Sequence, residues 1–276
     1  MKVSRRKFIG GAAMAAVAVP VLANTKSLEV EGEYERAVLV DTTRCIGCRA
    51  CESACAEANN LPAPPDTVPA WRDTSPTAFT VVNTFGERTA KRQCMHCVQP
   101  ACASACPVRA LDKQKTGPVA YHADRCMGCR YCMVACPFEI PKYEYNKAIP
   151  TVKKCIFCFD RQEKGQPPAC TDICPAGALT FGQRGDLLRE ARKRVYGSPD
   201  KYFQHIYGEH EAGGTNWLYI SDVRPGEIGL KVGIEDAYYP ALVKGALSVP
   251  PFVMTLWPPI LMGLWAFSRS KEKDDE

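Results

Sequence analysis

Hydrophobic residues in this chain come in short runs rather than long periodic ones. Arg36–Val40 (RAVLV) is a compact apolar run that predicts a strand. Thr80–Val82, Val119–His122 and Ala178–Phe181 read as further short strands. Cys48–Asn59 has small and polar residues without Pro or Gly and suits a helix, and Asp186–Val195 predicts a charged amphipathic helix on the surface. Between them, residues 60–79 hold five prolines (62, 64, 65, 69 and 76) and read as an irregular surface loop. Pro141–Val152 reads as a connecting arm, and Phe159–Ala169 as an eleven-residue insertion. The two ends carry uncharged apolar stretches, from Gly10 to about Ala23 and from Ala246 to Phe267.

The first stretch follows Ser4-Arg5-Arg6-Lys7-Phe8-Ile9-Gly10, and no acidic residue precedes Glu29. Serine, paired arginine and phenylalanine in that order, before a mild apolar segment, predict a twin-arginine export signal over residues 1–23. An ordinary secretory signal is the alternative. The second stretch is twenty-two residues without a charge. That length meets the ~20 residues a bilayer requires, so it predicts a transmembrane anchor over 246–267 and a tail over 268–276. A buried helix or an amphipathic foot is the alternative. Pro250, Pro251, Pro258 and Pro259 interrupt it, and they predict docking against another membrane subunit that satisfies the freed carbonyls. Tyr238, Tyr239 and Trp265 are placed for the two interfaces, and Arg269, Lys271 and Lys273 put the C-terminus in the cytoplasm. The bulk of the chain is then expected on the periplasmic face of the inner membrane.

Between these ends lie all sixteen cysteines, in four groups of four. They are Cys45, Cys48, Cys51 and Cys55; Cys94, Cys97, Cys102 and Cys106; Cys126, Cys129, Cys132 and Cys136; and Cys155, Cys158, Cys170 and Cys174. Groups one and three read C-x2-C-x2-C-x3-C, the bacterial ferredoxin run in which three cysteines hold one [4Fe–4S] cube and the fourth reaches a second cube. Pro107, Pro137 and Pro175 follow the last cysteine of groups two, three and four, whereas Ala56 stands in that place in group one. The repeats CPVRAL, CPFEI and CPAGAL predict two ferredoxin-like halves with two cubes each, and therefore four [4Fe–4S] clusters. Eight disulfides or a zinc scaffold are the rival uses of sixteen thiols. A signal for folded export argues against the first, and runs of x2-x2-x3 before proline do not resemble zinc knuckles.

Charge changes this picture little. Lysine and arginine total 35 against 30 acidic residues, but Lys2, Arg5, Arg6 and Lys7 lie in the leader. A cube with four thiolates carries about −2, so a loaded mature chain is net negative, and nucleic acid is not an expected partner. Arg44, Lys91, Arg92, Arg125, Arg130, Lys153 and Lys154 lie near cysteines in the sequence, either to offset cluster charge or as an ordinary solvated surface. His205, Tyr207, His210 and Trp217 stand out in 186–245, which reads as an extension and partner interface. A functional histidine pair is the sharper reading there, and packing the plainer one. His96, inside Cys94–Cys97, is expected at most to touch a ligand, and the absence of C-x-x-C-H excludes covalent haem.

QCMHCVQPACASACPVRAL, DRCMGCRYCMVACPFEIPKYEYN and KCIFCFDRQEKGQPPACTDICPAGALTFG resemble the four-cluster iron–sulfur subunits of respiratory oxidoreductases. With the leader, YGEHEAGGT (207–215) and the C-terminal stretch, the chain is most similar to the exported iron–sulfur subunit of hydrogenase-2-type nickel–iron hydrogenases. Formate dehydrogenases and polysulfide reductases use sister subunits. The resemblance implies pairing of groups one with four and two with three. One cube then has Cys45, Cys48, Cys51 and Cys174, and the next Cys155, Cys158, Cys170 and Cys55. A third has Cys94, Cys97, Cys102 and Cys136, and the last Cys126, Cys129, Cys132 and Cys106.

The expected fold is thus α+β with little regular structure, a duplicated bacterial-ferredoxin-like domain over 34–185 plus one C-terminal transmembrane helix. The expected function is electron relay between a periplasmic catalytic subunit, with its small cluster-bearing partner, and a quinone-binding membrane subunit. No Gly-rich phosphate loop, nucleophilic triad or spare cysteine is present, so the chain is expected to serve an enzyme rather than catalyse alone.

Overall fold

The structure, a computed structural model, describes residues 32–148 and 150–274. The predicted leader over 1–23 lies outside the described residues. In chain order the elements are β1 (Arg36–Asp41), α1 (Ala50–Ala58), β2 (Val81–Phe85), β3 (Arg88–Arg92), α2 (Ala101–Ser104), β4 (Leu111–Lys113) and β5 (Val119–Tyr121). They continue with α3 (Tyr131–Ala135), β6 (Lys142–Tyr143), β7 (Val152–Lys153), α4 (Phe159–Glu163), α5 (Ala169–Asp172), β8 (Leu179–Gln183), α6 (Arg184–Gly197), β9 (Trp217–Ile220) and α7 (Tyr239–Asp274).

One three-stranded sheet, in the order β8-β1-β9, organises the rest. β1 runs antiparallel to β8 and parallel to β9, with Val38 opposite both Phe181 and Trp217. Successive side chains on a strand leave opposite faces, so β1 divides its residues between two cores. Ala37 and Leu39 pack with Leu187, Leu188, Ala191 and Val195, the apolar stripe of α6. Val38 and Val40 join Trp217, Tyr219, Phe157 and the cysteines Cys94 and Cys170. One face of the sheet thus carries a conventional core, and the other backs the sulfur-rich region.

Three two-stranded hairpins pair β2 with β3, β4 with β5, and β6 with β7. β3 and β4 were not apparent in the sequence because Arg88–Arg92 is mostly polar and Leu111–Lys113 has one apolar residue. The connecting arm holds the short β6–β7 pair, and the insertion opens with α4. α1 is anchored by Glu52, which is buried and held by Arg49, by Arg72 from the proline loop and by the Val82 N–H of β2.

The C-terminal expectation requires correction. Ala246–Phe267 does lie within a helix, α7, but among the described residues no helix is long and apolar enough to cross a membrane. Pro258-Pro259 dilutes its apolar character. The described residues therefore form a mixed helix and strand ferredoxin-like arrangement, with no membrane-spanning helix among them.

Leu39 has no exposed surface and lies between β9 and α6. Leu39→Ala is expected to destabilise the protein by about 2–5 kcal/mol. Denaturant unfolding of the cluster-loaded protein checks this, with iron content unchanged in the folded state because Leu39 faces away from the cysteines.

Candidate functional site

The cysteine loops share one backbone device. The third position of the first C-x-x-C in each group is Gly47, His96, Gly128 or Phe157, and all four have positive φ (69°, 45°, 71° and 59°). The left-handed turn reverses the chain between the first two thiols so that both point inward. In two loops glycine takes this conformation at little cost. In the other two it is imposed on His96 and Phe157, whose rings stack at 4.8 Å. Burial of both rings offsets the backbone strain. Arg49, Arg130 and Cys158, just before α1, α3 and α4, are also left-handed. After each Cys-Pro pair, Arg109, Glu139 and Gly177 repeat the turn, with φ of 50°, 57° and 58°. These turns aim N–H groups at sulfur: Ala110 N–H donates to Cys106 Sγ at 3.2 Å and Phe157 N–H to Cys155 Sγ at 3.4 Å.

The thiols gather around cavities. The first cavity is lined by Cys45, Cys48, Cys51 and Cys174. A second is lined by Cys55, Cys155, Cys158 and Cys170, and another by Cys106, Cys126, Cys129 and Cys132. The remaining four neighbour one another electrostatically, since Cys102 feels Cys136, Cys94 and Cys97. Neighbouring groups also lie close to one another. Cys51 senses Cys170, Cys155 senses Cys94, and Cys102 packs in one cluster with Cys132, Cys106 and Cys126. The four groups therefore form a row. Among the described residues no three His, Cys, Asp or Glu side chains are set to hold a single metal ion.

Burial pushes the Cys51, Cys55 and Cys132 thiols up to about 12, and that of Cys136 to about 11. Desolvation disfavours the thiolate, so these four thiols hold their protons until a bound cation displaces them. Soft sulfur donors, four to a cavity and met by backbone N–H groups, fit iron–sulfur cubes.

The seven basic residues noted near the cysteines divide cleanly. Lys91 and Lys154 are buried, whereas Arg44 and Arg125 are about half-exposed and Arg92 pairs with Asp73. Lys154 Nζ donates to the carbonyls of Val119 (2.7 Å) and Cys155 (3.0 Å). Lys91 Nζ donates to Gln93 Oε1 at 3.0 Å and lines both the first and second cavities. Sequence position marked both lysines but could not show which ones turn inward. Trp217, flagged in the sequence only as conspicuous, lines the second cavity. His96 is fully buried, and its Nδ1 accepts the Val119 N–H at 3.0 Å.

A 4Fe-4S dicluster domain family matches residues 88–184, and a 4Fe-4S binding domain family matches residues 42–58. A protein of Nitratidesulfovibrio vulgaris is 45% identical over 249 residues, covering 86% of this chain and 67% of its own. The hydrogenase-2 operon protein HybA of Escherichia coli O157:H7 is 37% identical over 266 residues, covering 80% of this chain and 81% of its own. The nitrate-inducible formate dehydrogenase iron-sulfur subunit of Escherichia coli is 37% identical over 207 residues, covering 67% of this chain and 68% of its own.

His205 and His210 line none of these three cavities. His205 Nε2 lies 2.7 Å from Glu211 Oε1, while Glu211 Oε2 accepts the Gly208 N–H. The pair fastens the loop before β9. Its hydrogen bond with Glu211 holds the His205 imidazolium above the ordinary range. The Glu211 carboxyl lies below its ordinary range: burial opposes this, and His205 together with backbone N–H groups outweighs it. The histidine contribution is complete below the unfolded pKa of about 6.5 and is lost as pH rises through the folded value. That of Glu211 is present above about 4.3 and is lost as pH falls through its folded value. His205→Gln is therefore expected to lower the denaturation midpoint most at roughly pH 5–6 and progressively less at higher pH. A difference that does not vary with pH would contradict the pairing.

Proposed function

The chain belongs to the family of ferredoxin-like, four-cluster iron–sulfur subunits of respiratory oxidoreductases and relays electrons through four [4Fe–4S] clusters. On that premise we propose that it connects a nickel–iron hydrogenase to a quinone-reactive membrane subunit. The observation that carries this reading is the gathering of thiols four to a cavity, in a row. Coverage of 81% of the hydrogenase-2 operon protein, against 68% of the formate dehydrogenase subunit, favours the hydrogenase assignment.

When bound, each cube takes up one electron and gives it back. The chain's own residues do the rest. Cys45, Cys48, Cys51 and Cys174 hold the first cube. Cys55, Cys155, Cys158 and Cys170 hold the second, Cys94, Cys97, Cys102 and Cys136 the third, and Cys106, Cys126, Cys129 and Cys132 the fourth. Shared cavity linings support three of these sets, and mutual electrostatics among its cysteines supports the remaining one. The left-handed turns fix the thiols and present N–H groups to them, and the apolar face of the sheet excludes water from the middle of the row. No residue has to move a proton for an electron to pass. Export by the twin-arginine route to the periplasmic side accounts for Ser4–Gly10, since cubes assembled in the reducing cytoplasm require carriage of a folded protein.

Two experiments test this. Purification of the native complex is expected to bring down a nickel-containing catalytic subunit. Molybdenum or tungsten in its place would move the chain to the formate dehydrogenase branch. Cys136→Ser is expected to remove the paramagnetic signal that Cys97→Ser also removes. Loss of the signal that depends on Cys129 would instead overturn the exchange of the fourth ligand between groups two and three.

A further inference from the structure

Lys91 lies on β3, whose polar face turns its ammonium towards the sulfur-rich side. It is 3% exposed, and its Nζ sits 4.2 Å from the Trp217 ring centroid. Its one side-chain hydrogen bond goes to Gln93, and among the described residues no carboxylate pairs with it. An isolated ammonium in such a place is strongly disfavoured. The residues around it that can supply negative charge are Tyr219 and three cysteines, and the cysteines come from two different cavities: Cys51 from the first, and Cys170 and Cys155 from the second. Lys91 is common to both linings.

We infer that Lys91 is a charge-compensating residue shared by two neighbouring clusters, those of Cys45/Cys48/Cys51/Cys174 and Cys55/Cys155/Cys158/Cys170, and that it raises the reduction potential of both. The inference rests on the ligand sets proposed above. Adding an electron makes either site more negative by one charge, and a fixed cation within a dry interior favours that state. Because one ammonium faces both sites, its removal is expected to move both potentials in the same direction. A second group acts on only one of the two. Trp217 Nε1 is buried without a hydrogen-bond partner, and Trp217 lines the second cavity but not the first. Its N–H is a donor reserved for sulfur at that cavity.

Redox titration of the purified, cluster-loaded full chain, followed by electron paramagnetic resonance with iron content measured in parallel, tests this. The parent must first show four one-electron centres. Fewer than four would sink the cofactor reading itself, separately from the role of Lys91. With four present, Lys91→Met is expected to lower two potentials and leave two in place. Each affected centre should shift at least tenfold in its oxidised-to-reduced ratio at fixed ambient potential, about 59 mV for one electron. Lys91→Arg should keep the parent potentials, and Trp217→Phe should lower one of the two that respond to Lys91→Met. Four unmoved potentials, or four that move equally, would overturn the inference. Loss of iron in both Lys91→Met and Lys91→Gln would also overturn it, by making Lys91 a packing residue.

Discussion

Buried sulfur that cannot ionise by itself is the constraint on which this structure depends. Desolvation holds the inward thiols near 11 to 12, so folding alone leaves them protonated and mutually crowded. Iron must supply the positive charge that makes four thiolates per cavity tolerable, and in doing so it ties distant parts of the chain together. Cys45 and Cys174 line one cavity across most of the domain, and Cys106 and Cys126 line another. Metal binding and folding are then one process. This explains how so little regular structure suffices: hairpins of two or three residues need no deep core of their own when metal–sulfur bonds close the loops between them.

The single substantial sheet provides what metal ligation cannot, a rigid reference. β1 is central, and its alternate residues commit one face to α6 and the other to the cysteine side. β9 reaches it from well beyond the last cysteine and brings Trp217 to the second cavity. The segment after the clusters thus belongs to their environment. Charge follows the same logic. Two lysines are turned inward without a carboxylate partner, while the arginines Arg44 and Arg92 nearby are paired with Asp41 and Asp73.

Much of the site was legible because cysteine spacing is a strict geometric statement. The four groups, the Cys-Pro turns and the strand at Arg36–Val40 could be read directly, since sulfur position, proline and an apolar run each act locally. Other features are set by partners distant in the chain. β9 was missed because Trp217–Ile220 is apolar without alternation, and only its place beside β1 makes it a strand. β3 was missed because one of its two buried positions is a lysine, which lines a sulfur-rich cavity. The C-terminal helix formed where expected. Its reading as a membrane span is not supported, since among the described residues no helix is long and apolar enough to cross a membrane, and Pro258-Pro259 dilutes its apolar character. Which thiols share a cavity is likewise a tertiary fact that spacing alone leaves open.

The central claim is that sixteen cysteines grip inorganic cubes, four thiols to each. Iron and acid-labile sulfide determined together on anaerobically purified protein, with free thiols counted after denaturation, test it most directly. The account predicts about sixteen iron atoms and about sixteen sulfides per chain, four of each for every cube, with all cysteines recovered as thiols. Protein free of iron and sulfide, with its cysteines recovered as disulfides or bound to zinc, would contradict it.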